Sequence, residues 1–239
     1  TGIAVARALA APPASSDRLR TIAAARRASP RGDGRWLAEH EAKALLRARG
    51  VPVVSGRLAS NEDEALEAFR SLAGPVALKV SAPDMRHKTA AGAIALGVAD
   101  EASVREAFSR LVAHSRRIAT STRHGVSTLS AGVLVEAMAA PGTEVLVSVT
   151  TDAVVPALVV GLGGIHVEAL DRVAIVPLPA DEQRIARALA QLGLPESAAP
   201  IAAQIAAAAG DLTLLECNPV LIHPDGAVVV DATAKEVAT

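Results

Sequence analysis

Three oxygen-bearing side chains interrupt an apolar stretch near the C-terminal end of the chain. Residues 214–232 read LLECNPVLIHPDGAVVVDA, with Glu216, Asn218 and Asp231 standing where a plain core strand would carry valine. Side chains alternate between the two faces of a strand, so Glu216 and Asn218 share a face. If the chain turns at Pro224-Asp225, Asn218 lies opposite Asp231, and a different loop geometry would shift this partner by one residue. The pattern predicts a hairpin that gathers the three side chains on one patch of sheet.

Such a patch has a specific chemistry. Burying a carboxylate without a partner is unfavourable, and a cation or a hydrogen-bond network offsets that penalty. Two carboxylates and an amide are hard oxygen ligands that suit Mg²⁺, which keeps several waters and takes further ligands from phosphate. In the alternative interpretation these residues mark a polar strand end, with Asp231 capping the next segment of the chain. The residues alone leave both interpretations open.

A lysine lies inside a second apolar run, VALKVS, at residues 76–81. Lys79 could bind phosphate as a point charge, or its stem could lie along apolar surface with the ammonium group reaching solvent. The loop directly after this run, APDMRHKTAAGA, contains His87 and Gly92. Small residues let backbone N–H groups approach an anion. The P-loop pattern is absent, and a lone histidine is more often structural.

Two further segments combine strand ends with polar or small residues. LVEAMAAPGTE (134–144) has Glu136 at the end of one strand and Glu144 at the start of the next. A connection of this kind can hydrogen-bond an adenine edge and ribose hydroxyls, or the two glutamates are simply exposed beside a turn. GLGGIHVEAL (161–170) indicates a tight turn, or a close approach of backbone to a ligand.

Composition excludes several classes of function. The 239 residues include three aromatics, so the core is aliphatic and an aromatic platform for stacking bases is excluded. The net charge of −1 gives no long-range attraction to nucleic acid or anionic lipid. The single cysteine excludes an intrachain disulfide and is consistent with a reducing cytoplasm. The longest apolar run, 154–165, is shorter than the roughly 20 residues of a membrane helix. We expect neither a nucleic-acid nor a membrane partner.

The hydrophobic pattern from Trp36 onward predicts alternating helices and strands, then clustered strands. Gly50 ends a first helix, and Asn61 with Glu64 forms a capping box before a second helix, which runs to about Leu72. The remaining predicted elements are strands at 51–55, 76–81, 94–98, 132–138, 144–151, 154–162 and 172–176, helices at 100–118, 181–192 and 196–209, and the C-terminal hairpin. This order predicts an α+β protein.

Residues 1–35 have a different character, with seven arginines and two acids. With the APPASS and SPRGDG stretches, this composition predicts an arginine-rich linker or the tail of a missing upstream region. The initial threonine fits the second interpretation.

The combination ALKV, HKT..G, LVEAM......E, GLGGI..E and LECNP............D resembles the ATP-grasp subunit or domain of the nucleoside-diphosphate-forming acyl-CoA synthetases. These include the ADP-forming acetyl-CoA synthetases and, more distantly, the β subunit of succinyl-CoA synthetase. The resemblance runs from about Trp36 to Ala234. It implies an α+β ATP-grasp fold with two sheet-and-helix lobes and a nucleotide cleft between them. The smaller lobe would comprise about 56–133, and the larger about 36–55 with 134–239.

The resemblance also implies which residues hold the nucleotide. Lys79 would contact the phosphates of ATP or ADP, and Gly92 with its neighbours would form the loop beside them. Glu136 and the backbone near Met138 would hold the adenine, and Glu144 the ribose.

The same resemblance implies the metal and the phosphate relay. Asn218 and Asp231 would bind Mg²⁺. Glu216 would steady a phosphohistidine that arrives from another domain, and His87 would take part in the relay. Family members often read HKSDVGG where this chain reads HKTAAGA, so the chain departs from the family in the segment that contains His87.

The implied reaction is acyl-CoA + ADP + phosphate ⇌ acid + CoA + ATP. The chain would supply the nucleotide-binding part, while a CoA-binding α-type subunit or domain would supply the sites for CoA and the small-molecule acid. One alternative is a non-catalytic, ligand-sensing domain of a protein lysine acetyltransferase. Another is an ATP-grasp carboxylate–amine ligase, which the HKT and GGI..E segments disfavour.

Overall fold

Five α-helices and ten β-strands make up the part of the chain that the structure, a computed structural model, describes: residues 34–83, 92–121, 132–152, 155–164 and 172–237. The helices are α1 (Glu39–Ala48), α2 (Glu62–Leu72), α3 (Glu101–Ser121), α4 (Glu182–Gln191) and α5 (Ala199–Ala208), with a short 3-10 helix at Glu196–Ala198. The strands are β1 (Gly56–Ala59), β2 (Val76–Ser81), β3 (Ile94–Val98), β4 (Gly132–Ala137), β5 (Thr143–Thr150), β6 (Ala157–Leu162), β7 (Val173–Pro177), β8 (Leu212–His223), β9 (Gly226–Val229) and β10 (Ala232–Glu236). None of the described helices has the length and apolar character needed to cross a lipid bilayer.

One compact unit comprises residues 37–44 and 54–140. Its antiparallel sheet has the strand order β1-β4-β2-β3. Alternate residues of β2, among them Leu78 and Val80, join an apolar core with α2 and α3. Lys79 has the opposite parity, so its side chain leaves the other face of the sheet. On that face it contacts Glu39 from the beginning of α1, so the unit has helices on both sides of the sheet.

The second unit comprises residues 45–53 and 141–237 of the described chain, with residues 34–36. Its sheet has the order β10-β8-β5-β6-β7, and β9 also pairs with β8. Alternate positions of β5, β8 and β10 are almost fully buried, and they are all small or aliphatic: Val147, Val149, Leu215, Cys217, Ala232 and Ala234. The intervening positions are more polar, which leaves this sheet one apolar face and one polar face. Helices α4 and α5 pack against its strands.

Most of the predicted helices and strands are confirmed to within a few residues, and 76–81 and 94–98 match at both ends. The capping box is also confirmed, because the backbone N–H of Glu64 donates to the Asn61 side chain at 2.9 Å. The predicted strand at 51–55 is wrong. There Val53 forms an isolated parallel bridge with Val229, since the neighbouring Pro52 has no N–H with which to continue a ladder.

The predicted bounds of the two lobes differ from these units at residues 37–44, 54–55 and 134–140. The sequence-based bounds place all three segments in the larger lobe. In the structure β4 pairs with β2 from Val76↔Ala137 to Ser81↔Gly132. Residues 134–137 therefore belong to the smaller sheet.

A side-chain cap begins α3. The backbone N–H and the hydroxyl of Ser103 donate to the Asp100 carboxylate at 2.9 and 2.8 Å. The backbone hydrogen bond, and then the hydroxyl, hold the pKa of Asp100 below its usual range. A carboxylate with a lowered native pKa stabilises the fold above its unfolded-state pKa, about 3.9, and this contribution is lost as the pH falls through the native pKa.

We therefore expect Asp100→Ala to lower the thermal unfolding midpoint at pH 7. The difference from the wild type should shrink once the pH falls below about 4, because the wild-type cap is then protonated as well. Circular dichroism melts between pH 7 and pH 3 measure this difference. A constant difference across that range would show that the charged cap does not contribute.

Candidate functional site

The C-terminal hairpin has the register that the sequence predicts. Val220 pairs with Val229, and His223 pairs with Gly226. Two residues before Val220, the backbone N–H of Asn218 donates to the carbonyl of Asp231 at 3.1 Å. The predicted pairing of Asn218 with Asp231 is confirmed at the level of the backbone. Both residues are half-buried, which leaves them partly open to solvent.

Glu216 lies in a polar row that crosses three strands. It pairs with Ser148 of β5 on one side and with Thr233 of β10 on the other. Directly paired residues point to the same face of a sheet, so the row follows the polar face. The flanking Cys217 is fully buried on the other face. Glu216 was predictable from the sequence, but Ser148 and Thr233 were not, because their partners across the sheet are known only once the strand order is known.

A turn at Gly163 and Gly164 links Glu144, which is predicted to bind the ribose, with Asn218, which is predicted to bind the metal. The N–H of Gly163 donates to the backbone carbonyl of Glu144 at 2.9 Å. The N–H of Gly164 donates to Oδ1 of Asn218, also at 2.9 Å. Gly164 has a φ of +77°, and a Cβ there would lie 1.8 Å from Oε2 of Glu144. The turn therefore needs glycine, and it brings Glu144 and Asn218 to the same place within this unit.

We expect Gly163→Ala to destabilise the protein by about 1–3 kcal/mol, the usual effect of overpacking a close contact. A Cβ at this position would lie 2.8 Å from three backbone atoms of Glu144 and Val145, which a rotamer change cannot relieve. Urea unfolding measures the loss. Gly74→Ala is the matched control, because a Cβ there meets nothing within 4 Å. Equal unfolding midpoints for the two variants would contradict the prediction.

Lys79 is buried and lies in a ring of four charged residues. Its Nζ lies 2.9 Å from Oε1 of Glu39 and 3.0 Å from Oε2 of Glu136. Lys43 Nζ lies 2.7 Å from the same Glu39 oxygen and 2.6 Å from Oε1 of Glu136. All four side chains are at most 3% exposed. Two alternatives from the sequence are therefore wrong: Lys79 does not reach solvent, and Glu136 is not an exposed residue beside a turn.

Glu39 and Lys43 are the members of this ring that were not predicted from the sequence. They are four residues apart on α1, the spacing of an ordinary surface ion pair. Lys43 directly follows the buried Ala42, but adjacent residues point about 100° apart around a helix, so the burial of Ala42 did not mark Lys43 as buried.

The remaining predicted residues have different surroundings. Gly92 has a φ of +67° and open space beside it, a backbone conformation that favours glycine. Met138 is 43% exposed, and its N–H donates to the carbonyl of Pro75. Glu144 is exposed at the start of β5. His87 lies outside the described residues.

The donor set on the hairpin fits a hard cation that takes few protein ligands. The described residues contain no group of three or more histidine, cysteine, aspartate or glutamate side chains arranged to hold a metal. An amide oxygen and a carboxylate, as offered by Asn218 and Asp231, suit Mg²⁺, which keeps several waters and binds substrate phosphate.

Comparison with known proteins gives consistent matches. Residues 28–198 match the family model of the ATP-grasp domain. The β subunit of ADP-forming acetate–CoA ligase I from Pyrococcus furiosus is 29% identical, over 84% of this chain and 92% of that subunit. The β subunit of ligase II from the same organism is 30% identical, over 82% of this chain and 89% of that subunit.

Solved structures of one related enzyme have the same fold. The dinucleotide-forming acetyl-coenzyme A synthetase 1 of Ca. Korarchaeum cryptofilum, in complex with coenzyme A and Ca-AMPCP, superimposes with a TM-score of 0.72 and 28% identity. The match covers 84% of this chain and 93% of that one. A second structure of that enzyme contains Mg-AMPPCP, with its phosphohistidine segment pointing towards the nucleotide site, and gives a TM-score of 0.63 at 26% identity over the same shares of the two chains.

Proposed function

Because the chain belongs to the ATP-grasp domain family, we propose that it is the nucleotide-binding component of an ADP-forming acyl-CoA synthetase. The observation that carries this proposal is the match over about nine tenths of the two β subunits. The alternative role in a lysine acetyltransferase is not supported by these relatives, which are ligases and synthetases by name.

In this proposal the chain binds ATP or ADP and moves phosphate between the nucleotide and a phosphohistidine. A CoA-binding α-type subunit or domain supplies the binding sites for the acid and CoA, together with the carrier histidine. Phosphoryl transfer needs positioning and charge neutralisation more than covalent help from the protein. The work of this chain is therefore to orient the phosphate groups and to offset their charge.

In this proposal different residues bind the phosphates, the adenine and the ribose. Lys79 presents an ammonium group to the phosphates beside the loop that ends at Gly92. The segment from Glu136 to Met138 holds the adenine, and Glu144 accepts hydrogen bonds from the ribose hydroxyls.

Asn218 and Asp231 hold Mg²⁺, which offsets charge on the transferred phosphate when it is bound. The contact of Asn218 Oδ1 with the Gly164 N–H fixes the orientation of the amide for this task. Glu216 steadies the arriving histidine, and His87 takes part in the relay.

The test combines the chain with its CoA-binding partner subunit, acetate, CoA and Mg-ATP. ADP and acetyl-CoA should form in equal amounts, and omission of either protein should abolish both products. Nucleotide binding without turnover would favour a non-catalytic role. A variant with His87→Ala tests the relay, because unchanged activity would remove that role from His87.

A further inference from the structure

The ring of Glu39, Lys43, Lys79 and Glu136 is more elaborate than a single ion pair. Each lysine contacts both glutamates, and each glutamate contacts both lysines, at 2.6–3.0 Å. Charges of opposite sign alternate around the ring, so the four groups sum to zero. Removing a single member leaves an unbalanced charge in a buried place, where screening by solvent is weak.

Burial alone does not explain such a ring. Apolar residues of similar volume often stabilise a core as well as buried ion pairs do, so a buried salt bridge is weak evidence for a role in stability. The strand beside the ring also has a residue small enough to accommodate it. Gly56 pairs with Glu136 across β1 and β4, and a Cβ on Gly56 would lie 2.6 Å from Cγ of Glu136. The neighbouring strand thus leaves room for this side chain.

The four members lie on different elements. Lys79 is on β2 and Glu136 is on β4, and the resemblance to the family predicts that Lys79 contacts the phosphates. Glu39 and Lys43 lie one turn apart on α1 and contact Lys79 and Glu136. They influence Lys79 through charge and position, with no need to contact a nucleotide.

We propose that Glu39 and Lys43 are positioning residues for nucleotide binding, which hold Lys79 and Glu136 in a charge-balanced ring and so set the charge that a phosphate meets at Lys79. This inference rests on the proposed function. It assigns to α1 a part in nucleotide binding that the sequence motifs leave out. Its distinguishing feature is that the effect of a substitution depends on the net charge of the ring.

Lys43→Met leaves the ring with a net charge of −1, which opposes a phosphate. We expect the Kd for ADP, measured by titration calorimetry with Mg²⁺ present, to rise by about tenfold or more. The double variant Glu39→Gln/Lys43→Met restores neutrality, and we expect it to bind ADP more tightly than Lys43→Met alone. A purely structural role would also be relieved by restored neutrality, so Glu39→Gln alone separates the two roles. It leaves the ring with a charge of +1, which favours a phosphate, whereas a purely structural role predicts weaker binding. Lys235→Met, in the other unit, is the matched control and should leave the Kd unchanged.

The outcomes separate the inference from the proposed function. Wild-type protein that fails to bind ADP would overturn both. Wild-type binding together with an unchanged Kd for Lys43→Met, or a double variant that binds no more tightly than Lys43→Met, would overturn the inference alone. If Lys43→Met does not fold, the Kd of Glu39→Gln for ADP tests the inference, since this variant leaves the ring with a charge of +1. Binding as tight as the wild type or tighter supports the inference, and weaker binding overturns it.

Discussion

Lys79→Met is expected to lower the free energy of unfolding by about 3–5 kcal/mol, the usual penalty for removing one partner of a buried ion pair. The substitution keeps an unbranched stem of similar length but leaves Glu39 and Glu136 with the ammonium of Lys43 as their shared partner within the ring. Urea unfolding of the ligand-free protein measures the loss. Nucleotide binding is expected to fall at the same time, because the phosphate contact is removed.

A second variant tests whether unbalanced charge is the cause. Lys79→Met/Glu136→Gln removes one charge of each sign, so we expect it to be more stable than Lys79→Met alone. Lys235→Met is the control for loss of a lysine. Lys235 lies over the Trp36 ring at 5.5 Å, and such a contact contributes about 1 kcal/mol or less when exposed. Similar losses for Lys79→Met and Lys235→Met would mean that the ring contributes little to stability.

Asp231→Asn is expected to reduce kcat/KM for Mg-ATP by roughly 100-fold. Loss of a charged metal ligand removes a few kcal/mol of transition-state stabilisation, and each 1.36 kcal/mol corresponds to about tenfold in rate. The Mg²⁺ concentration for half-maximal activity should rise, and added Mg²⁺ should restore part of the activity. Coupled assays at several Mg²⁺ concentrations measure both quantities.

The control lies on the same hairpin. Asp225 is exposed at the turn, and Asp225→Asn makes the same chemical change away from the proposed metal. We expect its Mg²⁺ dependence to equal that of the wild type. If Asp231→Asn behaves like Asp225→Asn, then Asp231 does not bind the metal.

The hairpin shows where sequence reasoning succeeds. Pro224-Asp225-Gly226 fixes a turn, and a turn of known position fixes which residues pair. The backbone pairing of Asn218 with Asp231 was predictable from that local rule. The strand over 76–81 was predictable for a similar reason, because its apolar run is bounded by Pro75 and Pro83.

The ring shows where such reasoning stops. Glu39, Lys79 and Glu136 are far apart in sequence, and only the pairing of β2 with β4 and the docking of α1 bring them together. No local pattern contains that information. At 51–55 the β-branched residues suggested a strand, yet the ladder begins at Gly56. Pro52, which has no N–H with which to continue a ladder, outweighs the local strand propensity there.

Because α1 supplies two members of the ring, it limits how this protein can be divided into fragments. A truncation that began at residue 54 would retain the whole four-stranded sheet but lose Glu39 and Lys43. Lys79 and Glu136 would then each keep one counterion of two, on a sheet face stripped of its covering helix. An autonomous piece of this unit must therefore carry α1, even though α1 contributes no strand.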